Sequence, residues 1–172
     1  MWKKEDDWFW EGNVQEKLAK YFENQGYKVK TTDTLSKSRG VDISAFRNSD
    51  EMLVEVKGYP SNKYMDGSKR GQIKRTQPTL QAKHWFSDAL LSVIRRKGKF
   101  PNSSIAIGLP EFTRYLDLIK DANWALEKLG VRVFIVTQNG EVYEKRKSSP
   151  LQAESAAQNS QTDSPKFSLP KI

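Results

Sequence analysis

The chain has 172 residues, enough for one domain with its own core and too few for two with linkers. It has no cysteine and a single histidine, His84, which excludes disulfides, thiolate-bound metal, a cysteine nucleophile and a multi-histidine metal site. Lys and Arg number 29 against 21 Asp and Glu, a formal net charge of +8 that suits an acidic partner.

Residues 12–25 read as a helix, with Val14, Leu18, Tyr21 and Phe22 forming one apolar stripe and Gly26 a left-handed stop. Ahead of it Trp2, Trp8, Phe9 and Trp10 crowd the N-terminus and are expected to lie as a hydrophobic lid on this helix. The charged start, from Lys3 to Asp7, does not read as a secretory signal. Residues 27–31 alternate as a short strand, and 32–39 are polar and loop-like. Residues 41–46 and 52–56 read as two strands joined by the turn formers Asn48, Ser49 and Asp50, an antiparallel hairpin.

Residues 58–71 form a glycine-containing polar loop, expected to be mobile. Pro78 opens a helix through residue 96, with Leu80, His84, Phe86, Leu90, Leu91 and Ile94 as its apolar side. Residues 104–109 are a buried strand and 112–129 a helix closed by Gly130. Residues 131–136 are a second buried strand, followed by a short edge strand at 141–143. Beyond residue 148 the chain is rich in Ser, Gln, Ala and Pro and is expected to be disordered. No run approaches the roughly 20 apolar residues of a membrane span. The expectation is a cytoplasmic α/β protein without a membrane partner: one domain over residues 1–145, a tail over 146–172, and a mixed sheet ordered α-β-β-β-α-β-α-β with helices on both faces.

The charge excess is local. Residues 60–100 hold 10 basic and two acidic side chains, whereas the preceding 59 are nearly balanced. Lys63, Lys69, Arg70, Lys74 and Arg75 fall in the loop after the third strand, and Lys83 follows on the next helix. Such a patch fits contacts to the phosphates of a nucleic acid, DNA or RNA.

Asp42 starts the second strand, and Glu55 and Lys57 end the third. Folding the hairpin brings Asp42 beside Glu55, and Glu55 and Lys57, two apart, share a face. Two neighbouring carboxylates suit a hard divalent cation, Mg²⁺ or Mn²⁺. An adjacent ammonium can then position water and stabilise a developing oxyanion. These parts together describe metal-assisted hydrolysis of a phosphodiester. On the first helix, Glu11 or Gln15 should face the sheet, while Glu16 should point away.

Gly40-Val41-Asp42 followed by Glu55-Val56-Lys57 resembles the signature of the PD-(D/E)xK nuclease superfamily, with Val41 in the place of proline. Within it the chain is most similar to Mrr-like restriction endonucleases and archaeal Holliday junction resolvases, over roughly residues 13–136. The resemblance implies a restriction-endonuclease-like core and a metal held by Asp42, Glu55 and the main-chain carbonyl of Val56. It implies catalysis by Asp42, Glu55 and Lys57, with Glu11 or Gln15 at the position where the family usually has a helix-borne acid; with Gln15 there, the metal site has one carboxylate fewer. Gln81-Ala82-Lys83-His84-Trp85 is similar to the Gln-xxx-Tyr pattern of several relatives, with Gln81 on phosphate or on the active-site loop. The expected activity is a Mg²⁺-dependent endonuclease acting on DNA, in some relatives as a homodimer. The rival expectations are a catalytically silent DNA-binding module on the same scaffold and an interaction subunit docking through the aromatic N-terminus.

Overall fold

The structure is a computed structural model that describes residues 3, 6–32, 40–64 and 67–145. The expected tail and nearly all of the 32–39 loop lie outside these residues. Among the described residues the order is α1 (Glu11–Asn24), β1 (Lys28–Thr31), β2 (Ile43–Arg47), β3 (Asp50–Val56), α2 (Pro78–Lys99), β4 (Ser104–Pro110), α3 (Thr113–Lys128), β5 (Val131–Val136) and β6 (Val142–Glu144).

The six strands form one mixed sheet in chain order, β1 to β6. β1, β2 and β3 are antiparallel neighbours, β3, β4 and β5 are parallel, and β6 returns antiparallel on β5. The hairpin turns at Asn48, which takes a positive φ of 55°, a conformation asparagine tolerates. The parallel strands require crossovers, and α2 and α3 supply them.

Each face of the sheet buries its own core. Val14, Leu18 and Phe22 of α1 pack on Ile43, Ala45, Val54, Val56, Ala106 and Phe134. A Cβ at Gly108 would lie 2.2 Å from Leu18 Cδ1, so glycine lets α1 settle closely on β4. On the opposite face α2 and α3 cover Ile105, Ile107, Leu109, Val133 and Ile135. The α2 face differs from its hydropathy pattern. Ala82, Phe86, Ala89 and Val93 are buried, whereas Leu80 and Leu91 are exposed. Small residues at this contact let the helix lie close, and close approach decides which face is buried. Among the described residues no helix is long and apolar enough to cross a membrane.

The 58–71 segment is more structured than a polar loop. Lys63 bridges Ile73, Tyr64 N–H donates to Gln72 O at 2.9 Å, and a turn with Gly67 and Gly71 at positive φ closes the excursion. Of the N-terminal aromatics, Trp2 lies outside the described residues and Trp10 lies over Gly12 at the start of α1, as a lid would, whereas Trp8 and Phe9 pack on Phe112. Trp8 stacks on Phe112 at 5.4 Å, Phe9 meets it edge-on, and Tyr59 stacks on it at 3.8 Å. They seal the junction between the end of β3 and the start of α3.

Candidate functional site

β2 begins at Ile43, one residue after Asp42, so Asp42 precedes the strand on which the sequence placed it. Its position is fixed by the backbone around it. Ile43 pairs with Val54, so the next pair along the register is Asp42 and Glu55. There the Asp42 carboxylate takes over from the ladder: Val56 N–H donates to Asp42 Oδ2 at 2.6 Å.

The three residues leading into β2 are held by their carbonyls. An Arg96 N–H donates to Gly40 O, and the Thr32 hydroxyl to Val41 O. Asp42 O accepts both Thr32 N–H, at 3.0 Å, and the Gln15 side-chain amide, at 2.8 Å. The same Gln15 amide nitrogen donates to Thr32 O at 2.8 Å. Gln15 is buried on the sheet-facing side of α1, as its helical angle indicated, and its contacts position main chain rather than the acid itself. Glu16 is exposed.

Glu55 is buried on the α2 side of the sheet. Lys57 Nζ donates to its Oε1 at 2.9 Å, the Ser92 hydroxyl donates to its Oε2 at 2.8 Å, and Arg96 lies 3.5 Å from Oε2. Ser92 and Arg96 are therefore site residues that sequence reading missed. They come from a helix turn more than 35 residues away, and the only available signal was polar residues within an otherwise packed helix face.

Lys57 is held by main chain as well, its N–H donating to Gly108 O at 3.0 Å. Next, Gly58 passes under the start of α1. A Cβ there would come within 2.7 Å of Glu11 N and Phe9 O, so only glycine fits. Tyr59 N–H donates to Phe9 O at 3.0 Å, and the buried Tyr115 hydroxyl donates to Gly58 O at 2.8 Å. This close passage brings Glu11 to the cluster, where the Gly58 N–H donates to its carboxylate.

The electrostatics show that the four groups act on one another. Burial raises Asp42, and the Glu55 charge raises it further, against the Val56 N–H and Lys57; the outcome is a carboxyl pushed up to about 6. Burial likewise raises Glu11, with Lys57 opposing and Glu55 adding. Burial works against the Lys57 ammonium, but Glu55 outweighs it, with Glu11 and Asp42 contributing, and holds it above its ordinary value. Lys57 is thus a permanent cation at neutral pH.

The remaining sequence-predicted residues fall outside this cluster. Gln81 lies about 16 Å along α2 from Ser92, at 1.5 Å per residue. Its side-chain carbonyl is buried without a hydrogen-bond partner. Lys63, Lys69, Arg70, Arg75 and Lys83 are exposed, while Lys74 is partly buried, which lowers its ammonium.

Among the described residues no group of three or more His, Cys, Asp or Glu is arranged to hold a metal ion. The donor set that is present, Asp42 and Glu55 with the Val56 carbonyl next after Glu55, is hard oxygen throughout. Beside burial, the Glu55 charge raises the Asp42 carboxyl, and that repulsion is what a divalent cation relieves. In that chemical sense the residues fit Mg²⁺ or Mn²⁺ as a two-carboxylate site.

No protein-family model, no curated protein and no solved structure gives a significant match to this chain.

Proposed function

We propose that the protein is a metal-dependent phosphodiesterase acting on DNA, an endonuclease of the PD-(D/E)xK type. The observation that carries the proposal is the convergence of Asp42, Glu55 and Lys57 at one end of the sheet, from the start of β2 and the end of β3, with Glu11 within electrostatic reach. Asp42, Glu55 and the Val56 carbonyl would hold Mg²⁺ or Mn²⁺. Bound there, the ion supplies Lewis acidity toward the phosphodiester and a more acidic water.

The chain's own groups do the rest. The Val56 N–H and the Gln15-held carbonyl fix the Asp42 carboxylate, so it needs no reorganisation to act. Lys57, charged at neutral pH, stabilises negative charge developing on the phosphate oxygens rather than removing a proton. The exposed cations of the 63–75 excursion contact phosphates along the strand. Incubation with supercoiled, linear and branched DNA in Mg²⁺, Mn²⁺ or EDTA tests the proposal: metal-dependent cutting supports it.

A second reading, a silent DNA-binding module, is favoured by one observation. Glu55 is already matched by Lys57 and Arg96 and hydrogen-bonded by Ser92. It predicts binding in EDTA and no cutting in any metal.

A further inference from the structure

The last turns of α2 carry a cationic groove that runs up to the back of Glu55. Ser92, Arg95, Arg96 and Lys99 line it, with Asp88 as the one acid on its wall. Three cations against one anion leave it positive. Arg95 and Lys99 are exposed, so their charges are open to a ligand.

Arg96 is the link. Its terminal nitrogen serves Gly40 O and approaches Glu55 Oε2, while its Nε is buried with no acceptor. The Ser92 hydroxyl is committed to Glu55, so the guanidinium and the two further cations beside it make the donor set that takes a phosphate. Lys97, the other cation of this helix end, is not part of it, because its ammonium donates to Pro101 O and Ser103 O at 2.8 Å.

We propose that this groove binds the sugar–phosphate backbone of the nucleic-acid strand, with Arg95 and Lys99 on successive phosphates and Arg96 at the end nearest the Asp42–Glu55 pair. The identity of the occupant rests on the nuclease reading; the cationic groove does not. It gives the strand a second contact surface, on α2, apart from the 63–75 excursion. It also makes Arg96 the point at which strand binding is felt by Glu55, because a phosphate drawing on Arg96 loosens its hold on that carboxylate.

The test is binding of a fluorescein-labelled DNA duplex in EDTA, read by anisotropy at several salt concentrations, for the wild type and an Arg95→Ala/Lys99→Ala variant. Both side chains are exposed, and circular dichroism confirms that the variant folds. Affinity should fall about tenfold, and the plot of log affinity against log salt should become shallower by about 2, close to one per lost phosphate contact. Unchanged affinity and slope in a folded variant would overturn the groove. So would a wild-type protein that binds no DNA. Cleavage by the same two proteins is measured separately in Mg²⁺ or Mn²⁺ without EDTA. Cutting with unchanged binding rejects the groove and keeps the nuclease; weakened binding without cutting in any metal keeps the groove and rejects the nuclease.

Discussion

The Val56 main-chain N–H donates to the Asp42 carboxylate at 2.6 Å, in the place where the next β2 carbonyl would otherwise continue the ladder. An acid at the frayed end of one strand is thereby locked against the residue that separates Glu55 from Lys57. The pairing register that builds the sheet also builds the site.

This acid is costly to the fold. Asp42 is raised from an ordinary 3.8 to about 6, chiefly by burial and then by Glu55. The folded state therefore holds its proton more tightly than the unfolded chain. The favourable contribution is complete below about pH 4 and is lost as pH rises through about 6. Asp42→Asn removes the charge and keeps the shape. In metal-free buffer at pH 7 it should stabilise the protein by about 1–3 kcal/mol, while abolishing cleavage. Urea unfolding of both proteins checks this; a destabilised variant contradicts it.

Metal binding should follow the same group with the opposite preference. A cation needs the ionised carboxylate, so Mn²⁺ affinity measured by calorimetry should decline as pH falls through about 6. Added Mg²⁺ should raise the thermal midpoint at pH 8 far more than at pH 5. An effect of equal size at both values would argue against Asp42 as a ligand.

Gln15 holds two carbonyls, Thr32 O and Asp42 O, each at 2.8 Å, from a buried position. Gln15→Leu leaves both without their side-chain donor. Asp42 O still has Thr32 N–H, so Thr32 O bears more of the loss. The expected cost is about 2–3 kcal/mol in chemical unfolding. Activity should fall further than DNA binding in EDTA, because the change displaces Asp42 and leaves the exposed cations alone.

At Gly58 the limit is steric. A methyl there meets Glu11 N and Phe9 O at 2.7 Å, both backbone atoms that cannot swing aside. Gly58→Ala should cost about 1–3 kcal/mol by overpacking and move Glu11 away from the cluster. Wild-type stability and activity in this variant would show that α1 and β3 are not tightly coupled.

Much of this was legible in the sequence, for reasons that vary by element. The Val14–Leu18–Phe22 stripe and the hairpin around Asn48 are local patterns, and both appear in the structure. Asp42 beside Glu55 followed from hairpin arithmetic. The α2 face did not, because alanines give a weak hydropathy signal and the exposed Leu80 and Leu91 a strong one. Ser92 and Arg96 were hidden because their contacts to Glu55 depend on how α2 lies across the sheet, which no local pattern encodes. For Glu11, the helical angle pointed toward the sheet; the close passage at Gly58 brings it to Lys57 and Asp42.

The most direct measurement is the conversion of supercoiled plasmid to nicked and linear forms in Mg²⁺, by wild type and by Lys57→Ala, with EDTA as control. The account predicts metal-dependent cutting by the wild type, a loss of about a hundredfold or more in the variant and unchanged DNA binding in EDTA. Equal cutting by both proteins, or none by the wild type in Mg²⁺ or Mn²⁺, would contradict it.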